Sequence, residues 1–216
     1  MRRNRRNGNG KKKGLSRNQA KAVKQIIKSQ IDTIAEEKYV DTVISSGSAD
    51  RNNWVPLALI NGITQGDSDQ AQRNGDRIRL KGLQFRYMIT PGTDTMAGLS
   101  DGENIFRLII FQWFRNTTPT VSQVLQQASG TLGDVFSAYH HDNMKAGLLS
   151  ILLDRFHALS NRSSGSHTQP LTAVHGKFFS NLKFQKKNIQ FIAGGSAVDM
   201  GQIFVLCLSD SALTPN

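Results

Sequence analysis

The sequence predicts an all-β fold, an eight-stranded antiparallel jelly-roll sandwich, with a basic N-terminal arm and helix in front of it. Two observations lead there. Beyond Lys38 the chain breaks into eight short runs rich in β-branched and aromatic residues, parted by turn signals such as Ser46-Gly47-Ser48, Asn74-Gly75, Pro91-Gly92, Ser163-Ser164-Gly165 and Gly194-Gly195. Helical periodicity is confined to the start of the chain and one short later segment. The expected division is 1–37 for the arm and amphipathic helix and 38–216 for one jelly-roll domain, a size at which all-β domains stay undivided.

The arm comes first. Arg2, Arg3, Arg5, Arg6, Lys11, Lys12, Lys13, Arg17, Lys21, Lys24 and Lys28 stand in the first 28 residues with no acid among them. Of the 27 Lys and Arg in the chain this leaves 16, matched by 16 Asp and Glu, so the whole net charge of +11 sits in those 28 residues. Such a run repels itself and stays extended until it meets a polyanion, and each cation that neutralises a phosphate releases a counterion whatever the base sequence. A solubilising tail or a nuclear import signal over Arg2–Lys13 would need fewer charges.

Helix formers follow from Ser16, where Gln19 three residues on completes a capping box, and continue to about Glu37. At 3.6 residues per turn Arg17, Lys21, Lys24 and Lys28 form one stripe, and Ala20, Val23, Ile27, Ile31 and Ile34 form another beside it. The first faces phosphate. The second, with Val23, Ile27, Ile31 and Ile34 as candidate subunit-interface residues, docks on the body or on other copies. A membrane-surface role is weaker, because the stripe lacks Trp, Phe or Leu anchors.

The expected strands are Tyr39–Ser45, Trp54–Ile60, Arg77–Thr90, Asn104–Arg115, Leu148–His157, Leu171–Leu182, Lys187–Ile192 and Gly201–Leu208, with a short helix over Thr120–Gln127. In the third, Ile78 and Leu80 occupy one parity and Leu83, Phe85, Tyr87 and Ile89 the other, which calls for a bulge or kink at Gly82. In the fourth both parities are apolar, so a helix or another subunit must cover its outer face, and exposed sheet edges suggest lateral association.

No phosphate loop, dinucleotide fingerprint, zincin motif or nucleophile elbow occurs, so no catalytic residue and no enzyme activity are expected. His140-His141-Asp142 reads as a surface loop rather than a zinc site, since adjacent histidines diverge on an extended chain and no further ligand is spaced for zinc. No metal site and no cofactor are expected; a structural calcium near Asp67, Asp69 and Asp76 fits no calcium-loop pattern and is not assignable. Cys207 can make no internal disulfide and reads as a small buried hydrophobe. Neither a signal peptide nor an 18-residue apolar span is present, and no membrane partner is expected.

The stretch Gln65-Gly66-Asp67-Ser68-Asp69-Gln70-Ala71-Gln72-Arg73-Asn74-Gly75-Asp76-Arg77-Ile78-Arg79-Leu80 resembles the Q-G-x(n)-Q-R-x-G-x-x-I segment of small single-jelly-roll viral capsid proteins, those of satellite tobacco necrosis virus and of circular Rep-encoding single-stranded DNA viruses. Phe106–Phe111, Pro119–Leu125 and Leu153-Asp154-Arg155-Phe156-His157 agree in order and spacing. The resemblance implies a coat protein that assembles with itself into a small icosahedral shell, of the T=1, 60-subunit type, with the arm inside on single-stranded nucleic acid, DNA favoured over RNA. It implies a place in the virion, with assembly in the host nucleus. The alternative is a cellular jelly-roll module binding nucleic acid or carbohydrate, which leaves the segregated charge without a purpose.

Overall fold

The computed structural model describes residues 15–34, 38–43, 56–60, 62–66, 68, 72–90, 103–126, 134–160, 174–181 and 188–210. The chain separates into two units, Met1–Tyr39 and Val40–Asn216. In the first, helix α1 runs from Arg17 to Ile34 and opens on the expected box: the Ser16 N–H donates to Gln19 Oε1 at 3.0 Å and the Gln19 N–H to Ser16 Oγ at 3.3 Å. Two of the four orphan donors of the first turn are thereby satisfied.

The second unit carries, in order, β1 (Leu57–Ala58), β2 (Arg77–Arg79), β3 (Gly82–Ile89), β4 (Glu103–Trp113), α2 (Val121–Val124), a 3-10 turn (Asp134–Phe136), α3 (His141–Lys145), β5 (Leu149–Ser160), β6 (Val174–Asn181), β7 (Asn188–Phe191), β8 (Val198–Met200) and β9 (Gln202–Ser209). All pairings between these strands are antiparallel, in a four-stranded sheet of order β1-β9-β4-β5, a three-stranded sheet β2-β7-β8 and the pair β3-β6. This is the expected jelly-roll-like β class, with nine described strands in place of eight.

The count differs for identifiable reasons. Arg77–Thr90 is two strands: strand structure is interrupted at Leu80–Lys81, and β2 pairs with β7 while β3 pairs with β6. Ile78, Leu80, Leu83, Phe85 and Tyr87 consequently all pack on one core despite their change of parity. Val198–Met200 is an additional strand. It turns into β9 through Gly201, whose φ of +86° and 2.8 Å approach of a would-be Cβ to the Asn188 carbonyl admit only glycine without strain. Over its described residues, 39–43, the first expected strand is irregular and Val43 is 94% exposed. Extended propensity makes a strand only where an edge is present to bond with.

Two apolar layers flank the four-stranded sheet. On one side Phe106, Leu108, Ile110, Ile203 and Val205 meet Ile89, Ile189 and Phe191 from the facing strands. On the other, Ile109, Phe111, Trp113, Phe204, Leu206 and Leu208 meet Val124, Leu125 and Val135 from the helical connection. Each such side chain contributes about 1.5–3 kcal/mol of transfer free energy. The doubly apolar β4 is thus covered by helix α2 and its neighbours in the same chain, and it leaves no face for another subunit. A bulge opposite Ile110 and Phe111 shifts β5 by one residue, so that Leu149, Ile151, Asp154 and Phe156 share the helical side.

α2 is shorter than the expected Thr120–Gln127. Its first turn is held by the Thr120 N–H donating to Gln123 Oε1 at 3.0 Å, and Leu125 is already extended at φ −113° and ψ 144°. Leu125 leaves the helix to bridge with Tyr139. His140-His141-Asp142 forms the start of α3 rather than a loop: His140 caps it, Nδ1 accepting from the Asn143 N–H at 3.4 Å. Cys207 packs against the core, and burial pushes its thiol up to about 11, the behaviour of an inert side chain.

Candidate nucleic-acid interface

Of the expected phosphate-binding residues, Arg17, Lys21 and Lys24 are described, and all three are exposed along α1. Val23 and Ile27 of the apolar stripe are exposed as well. Arg2, Arg3, Arg5, Arg6, Lys11, Lys12 and Lys13 lie outside the described residues, as do the side chains of Lys28, Ile31 and Ile34. Periodicity missed Ile26, also exposed, which falls on neither stripe.

Within the Gln65–Arg79 stretch the described residues on either side meet just ahead of β2. Gln65 bridges Arg73 in parallel, with the Gly66 N–H donating to the Arg73 carbonyl at 3.1 Å and the Arg73 N–H to the Thr64 carbonyl at 2.9 Å. The Gln72 side chain passes over Gly66, where a Cβ has no room, and its Oε1 accepts from the Ser68 N–H at 3.0 Å. The Arg73 guanidinium is buried. It bonds the Gly75 and Gly195 carbonyls and the Asp76 carboxylate, the last at 3.1 Å, and lies 4.4 Å over the Phe191 ring. Arg73 thereby ties the loop to the β7–β8 turn. Asp76 is engaged by this arginine, and Asp67 and Asp69, the other two carboxylates weighed for calcium, lie outside the described residues.

A second buried arginine was not singled out by sequence reasoning. Arg107, on the helical side of β4 and only 4% exposed, pairs in bidentate fashion with Asp154 of β5, Nε to Oδ1 at 2.9 Å and a terminal nitrogen to Oδ2 at 2.7 Å. Its other terminal nitrogen donates to the Val135 and Ser137 carbonyls, both at 2.8 Å, and the Tyr139 hydroxyl donates to Asp154. The guanidinium lies 5.2 Å from the Tyr139 ring centre and 4.9 Å from that of Phe156. Burial alone raises the Asp154 carboxyl, but hydrogen bonds from Arg107 and Tyr139 outweigh it and hold the group below its ordinary range. Burial likewise opposes the charge on Arg107, and Asp154 reverses the balance upward. The Tyr139 hydroxyl is raised by burial and by its bond to Asp154. The signal was legible: Phe106-Arg107-Leu108 and Leu153-Asp154-Arg155 each set a charge within an apolar strand, and opposite charges on neighbouring strands of one sheet pair across it.

Tyr87 links the β3-β6 pair to the four-stranded sheet by its hydrogen bond with His157 Nε2 of β5 at 3.0 Å. Tyr87 lies across its register partner Gly176, where any Cβ would collide with the ring. Burial, then the nearby Arg155 charge, lower the affinity of His157 for a proton.

Among the described residues no group of three or more His, Cys, Asp or Glu side chains converges for a metal, and no helix is long and apolar enough to cross a membrane. The described body is a jelly-roll-like fold of antiparallel strands with few helices, preceded in the chain by a basic helix. The profile of the satellite tobacco necrosis virus coat protein family matches residues 10–215, and the chain belongs to that family: it is a viral capsid protein, a component of the virion. No curated protein matches the chain.

Proposed function

We propose that identical copies of this chain close into a T=1 shell of about 60 subunits and that the arm packages a single-stranded genome by charge, without reading its sequence. The observation that carries this reading is the segregation of charge: Arg2, Arg3, Arg5, Arg6, Lys11, Lys12, Lys13, Arg17, Lys21, Lys24 and Lys28 without one acid, ahead of a body of balanced charge. Sixty arms would bring roughly 660 positive charges to the interior, enough to offset a comparable number of phosphates through counterion release. The basic stripe of α1 faces the genome and the stripe Ala20, Val23, Ile27, Ile31 and Ile34 meets symmetry mates or the inner wall. DNA is the favoured cargo, and the Arg2–Lys13 cluster directs the chain to the host nucleus for assembly.

Lateral contacts between bodies do not come from β4. The outer edge of the long strand β5 is a better surface, because β5 ends the four-stranded sheet and presents Phe156, stacked at 5.6 Å on Phe136, with the two rings 47% and 63% exposed. Near-zero net charge on the body lets copies approach without strong repulsion.

The test is deletion of Met1–Lys13, which removes 7 of the 11 charges. Electron microscopy is expected to show intact shells, and their absorbance ratio at 260 and 280 nm to show them largely empty. Shells that keep a normal cargo would mean that the arm has another task. DNase and RNase digestion of the extracted cargo of full-length particles decides its chemistry.

A further inference from the structure

We infer that strand β5 is joined, edge to edge and antiparallel, by β5 of a second copy of this chain, about a two-fold axis that passes through Phe156. This rests on the shell proposed above, in which copies meet laterally. Among the described residues β5 bonds β4 on one side and no strand on the other. The outer edge of such a strand offers a row of backbone donors and acceptors, which a further strand matches along its length. The faces of β5 are open too. A strand covered on one face buries one parity, yet Asp154, Arg155, Phe156 and Ala158, drawn from both parities, are exposed. The occupant is a second copy because a coat sets identical chains side by side and a strand edge is complementary to itself.

Parity and charge choose the register. A two-fold axis normal to the sheet keeps every side chain on its own face, so it passes through a residue of β5 and opposes residues equally spaced on either side of it. Through Asp154 it sets two carboxylates opposite each other, and through Arg155 two guanidinium groups, both unfavourable. Through His157 it draws the aromatic rings apart. Through Phe156 no charge meets its like: Asp154 faces Ala158 of the second copy, Leu153 faces its Leu159, and Arg155 faces its His157, whose lowered affinity for a proton keeps it uncharged near neutrality. Asp154 needs no partner across the edge, being held by Arg107 and Tyr139 of its own chain. Each Phe156 is stacked on Phe136 at 5.6 Å, so four rings gather at the axis. A pairing of Leu153 to Leu159 falls short of the roughly 1,600 Å² that a stable complex buries, so the joint holds in the closed shell, where each copy has further neighbours, rather than as a free dimer.

Cysteines read the register. Phe156→Cys sets two thiols opposite each other on the axis, with Cα atoms about 5 Å apart and within reach of a disulfide, whereas Ala158→Cys holds them about four residues apart along the strands, about 13 Å, which no disulfide spans. Cys207, packed against the core, is expected to stay out of the reaction. Full-length particles of each variant, and concentrated subunits in parallel, are oxidised with copper phenanthroline and run on a denaturing gel without reductant. Phe156→Cys is expected to give about tenfold more covalent dimer than Ala158→Cys. Charge gives a second reading that leaves the aromatic pair in place. Ala158→Glu sets a carboxylate opposite Asp154 of the second copy and is expected to lower the yield of particles about tenfold, while Ala158→Lys sets a cation there and is expected to keep it. The position is exposed, so the urea midpoints of both free subunits are expected to match the wild type. Where wild-type particles form, no dimer from Phe156→Cys, as much from Ala158→Cys, or equal yields of Ala158→Glu and Ala158→Lys particles overturns the pairing and leaves the shell standing. Wild-type protein that makes no particles, while concentrated Phe156→Cys subunits still cross-link, sinks the shell and upholds the pairing.

Discussion

Arg107 shows how one side chain can hold a connection in place. Four hydrogen bonds tie its guanidinium to a carboxylate and to two carbonyls of the 134–139 segment, so the charge is compensated where it is buried. Asp154→Ala strips the partner and leaves the guanidinium buried and unpaired. The expected loss is about 3 kcal/mol, read as a lower urea midpoint of the free subunit. Arg107→Met is expected to be milder, because the charge goes with the side chain. The pH dependence follows from the direction of the Asp154 shift. A carboxyl whose folded pKa is depressed contributes stability above its unfolded value, about 4, and loses it as pH falls through the folded value. Urea midpoints are therefore expected to drop below pH 4, and Asp154→Asn to flatten that part of the profile. These roles were partly legible: charges inside apolar runs announce a buried pair, but their register, set by the bulge at Ile110–Phe111, did not show in the one-dimensional pattern.

Elements formed where local chemistry and tertiary context agree. The Ser16–Gln19 box, the parity change before Leu83 and the Pro119-Thr120 start of α2 were readable because each rests on neighbouring residues. What escaped notice depended on distant partners: the strand expected at Tyr39–Ser45 has no described edge to join, and β8 exists because Gly201 turns it against β7. Gly176 belongs to this second kind. Its lack of a side chain lets the Tyr87 ring reach His157, so Gly176→Val is expected to push Tyr87 away and break the link between β3 and β5. A shifted His157 imidazole titration and a destabilisation of about 1–3 kcal/mol, read as a lower thermal midpoint, would register it. Should the His157 resonance titrate as in the wild type, the Tyr87 contact has no hold on it. In α1, Ile27→Asp with Ile31→Asp is expected to impair the uniformity of shells seen by electron microscopy, whereas unchanged particles would leave the apolar stripe without a structural role.

For the whole molecule, the division of labour is legible in composition: charge in the first 28 residues, apolar mass in the rest. The family match across residues 10–215 gives that division its setting in a coat. Packaging by charge predicts that oligonucleotides of equal length and unrelated sequence bind the full-length protein alike, and that binding weakens linearly on a log scale as salt rises. A preference of tenfold or more for one sequence among unstructured strands would show base readout instead.

Strand β4 is paired on both edges and covered on both faces by residues of its own chain. Its amides belong to the slowest class of hydrogen exchange, opening only when the whole subunit does. A protein built around such a strand is expected to complete its folding alone. Its unfolding midpoint as a free subunit is expected to be independent of protein concentration, unlike that of an obligate oligomer. The shell proposed above would then grow from finished parts, and conditions that take it apart are expected to return subunits ready for another round.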